Sequence, residues 1–387
     1  MKLAERMKEI PPSSTIRVLR LAKELERQGK KIINMGIGEP DLDTPSNIKK
    51  AAEEAIERGM TKYTLSAGLL ELREAVADHM GTKGFKTESK NVLITPGAKH
   101  AIFCAIAAVL DPGDEVIIPS PCWTYEAMVR IVGAKPVYVE TTDENGFKLE
   151  IKKVEEVLSP KTKMILLNYP NNPTGAVMTK KELHPIADIA VDRDLWVLSD
   201  EIYDCLVYEG GHASILSSPK MPERTIYING FSKAYSMTGW RLGYAVAAAE
   251  LITEMTKIQE ATTSSATSFV QAAGVTALRG PQEFTMKMRE EYSKRRDVIV
   301  KGLSSIKGFS CTKPGGAFYA FPNIKRLGVN SLEFCEILLR EGGIAAVPGS
   351  GFGPYGEGHV RFSYATSMEN IEEAIERVKK VAEDIHK

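Results

Sequence analysis

The chain has 387 residues, more than one compact core usually holds and suited to two domains. Hydrophobic residues make up 43% and charged residues 26%, the balance of a soluble globular protein. Lys+Arg and Asp+Glu both number 50, so the net charge is zero, which excludes an overall electrostatic footprint for nucleic acid or an anionic membrane while leaving local pockets free to be basic.

The opening MKLAERMKEIPPSST has no apolar core of a signal peptide, and a cytoplasmic location is expected. Behind the PPSS break, the segment up to about Lys31 has the spacing of an amphipathic helix. From about 47 to 285, β-rich runs alternate with helical patterns. The runs are NVLIT (91–95), EVIIPS (115–120), PVYVE (136–140), KMILLNY (163–169), LWVLSD (195–200), TIYIN (225–229) and LGYAVAA (242–248). Several are nearly continuous apolar stretches, as in strands buried on both faces of a mainly parallel sheet. Helical patterns at 69–80, 98–110, 124–132, 179–192 and 249–258 supply crossovers, which predicts a doubly wound α/β domain with a seven-stranded sheet. The run AIFCAIAAVL (101–110) is too short to span a bilayer and reads as a buried helix.

A long charged helix is expected over 282–303, followed by short strands in GGAFYAF, AAVPGS and HVRFSYAT and a final helix over 368–386. This is the pattern of a smaller α+β domain. The expected division is 1–46 as an N-terminal segment packing with the small domain, 47–285 as the large domain and 286–387 as the small one. The cleft between them is the default ligand site. Five cysteines with no CxxC spacing and six histidines with no HExxH-like pair point to reduced thiols and give little support to a metal.

In α/β sheets, ligands bind beyond the carboxyl ends of the strands. NVLIT is followed by PGAKH, a glycine turn opening a helix, whose free N–H groups suit a phosphate. KMILLNY is followed by PNNPTG, LWVLSD by EIYD with Asp200 and Tyr203, and TIYIN by GFSK with Ser232, Lys233 and then Arg241. Singly these have plain readings: NNPTG as a turn, Asp200 as a cap, Lys233 as a surface lysine. Together they form the set that pyridoxal phosphate requires: a lysine amine for a Schiff base, a carboxylate for the pyridinium nitrogen, and serine and arginine for the phosphate. Neighbouring cations would lower the lysine pKa and make it nucleophilic.

NNPTG, SDEIYD, GFSKAYSMTGWRLGY and VRFSYAT, in that order, resemble the signatures of fold-type I class I/II aminotransferases, and the likeness extends from GIGEPD (36–41) to Arg361. The resemblance implies that Lys233 binds the cofactor covalently and shuttles the substrate proton. It implies that Asp200 pairs with the pyridinium and that Tyr203 and Asn172 contact the ring 3-oxygen. It assigns the phosphate to Ala98 and Lys99 backbone, Ser232 and Arg241, and the ring face to Trp123. Tyr63 would reach the partner subunit's phosphate, implying a homodimer. Arg361 would grip the substrate α-carboxylate with Gly38 backbone beside it and Asn172 helping. Locally, alternation in HVRFSY puts His359, Arg361 and Ser363 on one strand face.

Transamination also needs a cation for the distal carboxylate of an acidic substrate. In the bacterial-type aspartate aminotransferase subgroup, which the chain resembles, a lysine and a threonine take that role, and Lys99 and Thr15 match them. Aspartate with 2-oxoglutarate is the favoured pair, with aromatic or alanine aminotransferase as the alternative and a C–S β-lyase as a remoter one. GIGEP (36–40) lacks the third glycine of a dinucleotide fingerprint, so a nicotinamide-dependent dehydrogenase does not account for Lys233, Asp200 and Arg241. A non-catalytic regulator on the same fold would carry a DNA-binding module, for which no segment is left. GSGFG (349–353) is expected to line the substrate site.

Overall fold

The computed structural model describes residues 2–10 and 14–385, apart from the side chains of 14–16 and 19. Its main sheet contains the seven expected strands. In chain order, β1 (Ile33–Asn34) lies outside it, and the sheet comprises β2 (Val92–Thr95), β3 (Glu115–Ser120), β4 (Lys135–Glu140), β5 (Thr162–Asn168), β6 (Trp196–Asp200), β7 (Thr225–Gly230) and β8 (Gly243–Val246). The order is β2-β8-β7-β6-β5-β3-β4, with only β8 antiparallel to its neighbours.

The apolar runs are continuous because both faces are covered. Along β5, Met164 and Leu166 pack with Leu198 and Ile102 on one side, while Ile165 and Leu167 pack with Val197 and Ile186 on the other. Helices Ala98–Val109 and Ala249–Thr262 contribute to the first layer and Lys180–Asp192 to the second. The Lys180–Asp192 helix starts at a capping box, Thr179 with Glu182, which satisfies two otherwise free N–H groups. The expected helix at 124–132 is only Glu126–Ile131. Helices Ser46–Glu57, Ile151–Val157, Ser268–Arg279 and Ser331–Glu341 were not predicted.

The C-terminal part carries β9 (Tyr319–Ala320), β10 (Ile344–Ala345), β11 (Val347–Pro348) and β12 (Val360–Ser363). Strands β11, β12 and β9 form an antiparallel sheet. It packs on helices Glu283–Ser304 and Met368–Ile385 through Tyr292, Ile299, Phe362, Ile371 and Val378. β1 pairs in parallel with β10, and the N-terminal helix Ser14–Arg27 places Val18, Ala22 and Leu25 against Leu339 and Ala345. No helix among the described residues is long and apolar enough to cross a membrane.

Candidate active site

Register sets the site. Asn168 of β5 pairs with Asp200 of β6, Asp200 with Ile228 of β7, and Gly230 of β7 with Gly243 of β8, which also pairs with Thr95 of β2. The carboxyl ends of the parallel strands therefore lie in a row, and the residues following them line one cavity of about 540 Å³. The C-terminal part closes it with Tyr319, Phe352 and Arg361. A larger cavity, about 1120 Å³, lies behind the same strands and contains none of Lys233, Asp200 or Arg361.

Lys233 sits on the short helix Phe231–Ala234 that follows β7. Its ammonium donates to the Gly38 carbonyl oxygen and lies 5.9 Å from the Tyr203 ring centroid and 5.7 Å from that of Phe318. The side chain is half-buried and lines the cavity. Desolvation, reinforced by Arg361, lowers its pKa to about 8, so a free amine is accessible near neutral pH.

Asp200 ends β6 and is 5% exposed. Its Oδ2 accepts from the Tyr125 hydroxyl at 2.7 Å, and its Oδ1 from the Ile202 amide at 3.2 Å. Burial outweighs these bonds and raises its pKa to about 6. A carboxyl held there without a cation bonded to it gains when a positively charged ring nitrogen binds beside it.

Arg361, on β12, is 4% exposed. It donates to Asn172 Oδ1 at 2.8 Å and to the Gly36 carbonyl at 2.7 Å, and its face packs 4.5 Å from the Tyr319 ring centroid. Its Nε has no hydrogen-bond partner, a buried donor that suits an incoming anion. The Gly38 carbonyl receives Lys233, and the Gly36 carbonyl receives Arg361. The GIGEP loop leaves the two-residue β1 and so is no dinucleotide-binding turn of the main sheet.

The anion cradle stands on the other wall. Gly97, at φ +87°, caps helix Ala98–Val109, and a Cβ there would collide with the Arg241 guanidinium. Arg241 holds a left-handed φ of +56°, unusual for a residue with a side chain, and donates to the Thr238 carbonyl at 2.8 Å. With Ser232 and the unpaired first-turn amides of the helix, it supplies anion-binding donors to the cavity. The Lys99 ammonium lies 4.6 Å over the Trp123 ring at the rim, its pKa lowered by desolvation and by Arg241. Tyr203 donates to or accepts from Tyr319 at 2.8 Å.

The cavity thus gathers Gly38, Ala98, Lys99, Trp123, Asn172, Asp200, Tyr203, Ser232, Lys233, Arg241 and Arg361. Tyr63 does not line it and is 89% exposed. The Thr15 side chain lies outside the described residues. Sequence reasoning missed Tyr125, two residues beyond Trp123 in the same turn, and Asn168, whose amide bonds the Asp200 carbonyl at 3.0 Å and whose Oδ1 receives the Asn172 amide. Both lie where the strand-end rule points. Phe352 lies in GSGFG, which was expected to line the substrate site, and it lines this cavity; Tyr319 had no such signal.

The donor set fits pyridoxal phosphate: a free amine, a raised carboxyl wanting a cation, and an anion cradle on the opposite wall. Among the described residues no cluster could hold a metal ion. The family model for aminotransferase class I and II matches residues 30–378. The aromatic-amino-acid aminotransferase 2 of Thermococcus litoralis is 44% identical, and the aspartate aminotransferase of Bacillus subtilis 43%, each over 99% of both chains. The solved aspartate aminotransferase of Thermus thermophilus with maleate superposes with a TM-score of 0.93 at 41% identity, covering 98% of this chain and 100% of that one.

Proposed function

The chain belongs to the class I and II aminotransferases, a pyridoxal-phosphate-dependent family, and we propose that it moves the amino group of L-aspartate to 2-oxoglutarate. When bound, the cofactor supplies an electron sink for the carbanion formed at the substrate α-carbon. The observation that carries the reading is the convergence of Lys233, Asp200 and Arg361 on one cavity, the first two with pKa values pushed toward neutrality.

In this reading Ala98, Lys99 and Ser232 with Arg241 hold the phosphate, Trp123 covers the ring face, and Asp200 meets the ring nitrogen. Tyr203 and Asn172 serve the ring oxygen. Arg361 grips the α-carboxylate, with Asn172 and the Gly36 carbonyl fixing its guanidinium. Lys233, once its amine is free, is the base that takes the substrate α-proton and holds it for return. Lys99, held over Trp123, is the cation for the distal carboxylate, a role the reading shares with Thr15. The related T. thermophilus structure with maleate, a dicarboxylate, supports that acidic subsite. The apolar walls offered by Trp123, Tyr319 and Phe352, and the aromatic relative from T. litoralis, favour aromatic amino acids as the second reading.

The division at 46 and 285 belongs to the same reading, with the N-terminal segment and small domain closing the cleft. We also read the molecule as a cytoplasmic homodimer. Tyr63, Leu65 and Leu70 are 89%, 71% and 52% exposed within one short stretch, a surface suited to a second copy. The test is the visible spectrum of the purified protein before and after L-aspartate alone. Bleaching of the cofactor band with oxaloacetate released in proportion to enzyme supports the proposal. Bleaching by tyrosine and not by aspartate removes the role of Lys99, and the lack of any band after adding pyridoxal phosphate sinks the reading.

A further inference from the structure

Behind β6, facing away from the cofactor cavity, lies a second cluster of charges that the reaction does not use. Glu201 follows Asp200 directly, but its side chain points to the rear. Its Oε1 accepts from Ser199 at 2.8 Å and from Ser214 at 2.6 Å, and its Oε2 meets His212 Nε2 at 2.5 Å. Its backbone is also tied down: the amide donates to the Ile228 carbonyl at 2.9 Å, and the carbonyl accepts from Asn229 Nδ2 at 3.0 Å. Glu201 is 2% exposed, whereas the His212 side chain is 18% exposed on the wall of the open 1120 Å³ cavity. The glutamate is therefore sealed in, and its histidine partner can exchange protons with solvent.

We propose that Glu201 and His212 are a positioning pair for the active site: they clamp the 199–203 turn from behind the sheet, and the Glu201 charge sets the basicity of Asp200. Adjacent residues of a strand end point to opposite faces, so Asp200 and Glu201 share a backbone while standing in different cavities. A negative charge on the neighbouring residue disfavours ionisation of Asp200, and a cation paired with that charge offsets the effect. The charges facing His212 are Glu201 on its own ring nitrogen, Asp204 from the same turn, and Lys83 from beyond helix Leu70–Thr82. Burial disfavours the imidazolium, but Glu201 and then Asp204 outweigh it and raise the pKa of His212. Lys83 and Asp204 neutralise each other as an ion pair, with His79 next to them. The Glu201 charge raises the pKa of Asp200, in addition to the larger effect of burial. The importance of this coupling for the reaction rests on Asp200 meeting the cofactor ring, but the coupling itself belongs to the cofactor-free chain.

It is tested there. Aspartate side-chain carboxyls are labelled with ¹³C, and the Asp200 resonance is identified by its loss in Asp200→Asn. Its titration midpoint is followed in Glu201→Gln, His212→Gln and the double variant. Removing the negative charge should move the midpoint down by about half a pH unit, the scale of one screened charge on the adjacent residue. Removing the positive one should move it up, and removing both should return it close to the parent value. A pair that served packing alone would leave the midpoint in place or shift it in the same direction in both single variants, and either result overturns the proposal. Should a single variant fail to fold, the double variant and Glu201→Asp, which keeps the charge, carry the test: both must titrate close to the parent, and a half-unit departure in either refutes the coupling. The visible band of the same variants loaded with pyridoxal phosphate is recorded separately. A parent chain that forms no band would refute the reading of the active site without touching this result.

Discussion

The front and rear of the 199–204 turn hold nearly the same chemical inventory and use it in opposite ways. In front, Lys233, Asp200 and Arg361 crowd one cavity without an ion pair between them, and burial drives the lysine down to about 8 and the aspartate up to about 6. Behind, Lys83 pairs with Asp204, and His212 with Glu201. There the same burial is outweighed by the partner: Asp204 falls to about 2 and Lys83 rises well above its ordinary value. Burial without a partner brings groups to the edge of ionisation, where they can react. Burial with a partner fixes the charge and leaves it structural.

The sharpest way to break that contrast is at Lys233. Lys233→Ala should abolish transamination, by roughly 10⁶-fold if it acts as the sole proton carrier, while leaving pyridoxal phosphate bound without a covalent link. Single-turnover kinetics and borohydride trapping measure the two, and normal turnover would defeat the assignment. Next is the rear ion pair. Lys83→Met leaves Asp204 buried without its ion-pair partner and should cost about 3–5 kcal/mol of stability, read by denaturant unfolding, with kcat of the folded fraction unchanged. A fall in kcat at unchanged stability would erase the distinction between the two faces. Asp200→Asn should lower kcat by about 10²-fold, near 3 kcal/mol of barrier, yet leave the cofactor-free protein more stable at pH 8.

That last effect follows from the sign of linkage. Asp200 has a folded pKa above its unfolded value of about 4, so the folded chain binds more protons between pH 4 and about 6 and loses stability as pH rises through that window. Lys233, depressed to about 8, penalises the folded state below that pH, and the penalty fades as pH rises toward 10.5. Asp204 does the reverse of Asp200: its depressed pKa stabilises the fold above about pH 4 and that contribution is lost as pH falls toward 2. Melting curves of the cofactor-free protein across pH, with and without Asp200→Asn, check these signs. The smallest expected effect concerns the rim. Lys99→Ala should raise KM for aspartate about tenfold, near 1.4 kcal/mol, and hardly alter tyrosine turnover. Equal losses on both substrates would end the argument for an acidic subsite.

The large sheet was legible because its signal is local. Apolar runs such as KMILLNY and TIYIN are long enough, and separated regularly enough, to mark buried strands without knowledge of their neighbours. The helices Ser46–Glu57 and Ser268–Arg279 escaped notice because their apolar faces are built largely of alanine and other small residues, and they form by packing against each other. The two-residue strands of the small sheet owe their existence to pairing partners that lie far away in the chain, such as Ile33 with Ile344. Of the site, strand-end position and motif company pointed to Lys233, Asp200, Asn172, Ser232 and Arg241. Tyr125 and Asn168 were within reach of the same rule. Tyr319 was not, because nothing in GGAFYAF marks which aromatic turns to the cavity.

The chain by itself therefore determined the doubly wound sheet, the strand ends that line the cavity and the identity of the groups placed there, since periodicity and residue type are written locally. The tertiary structure alone decided what those groups are in energetic terms. Lys83 and Lys233 are the same residue type, and so are Asp200 and Asp204, four positions apart in one turn. Only the fold puts a lysine beside Asp204 and none against Asp200. A pKa is set by solvent exclusion and by the nearest charge, both of which come from residues distant in sequence, and so the division between a reactive front and a locked rear exists only once the chain has folded.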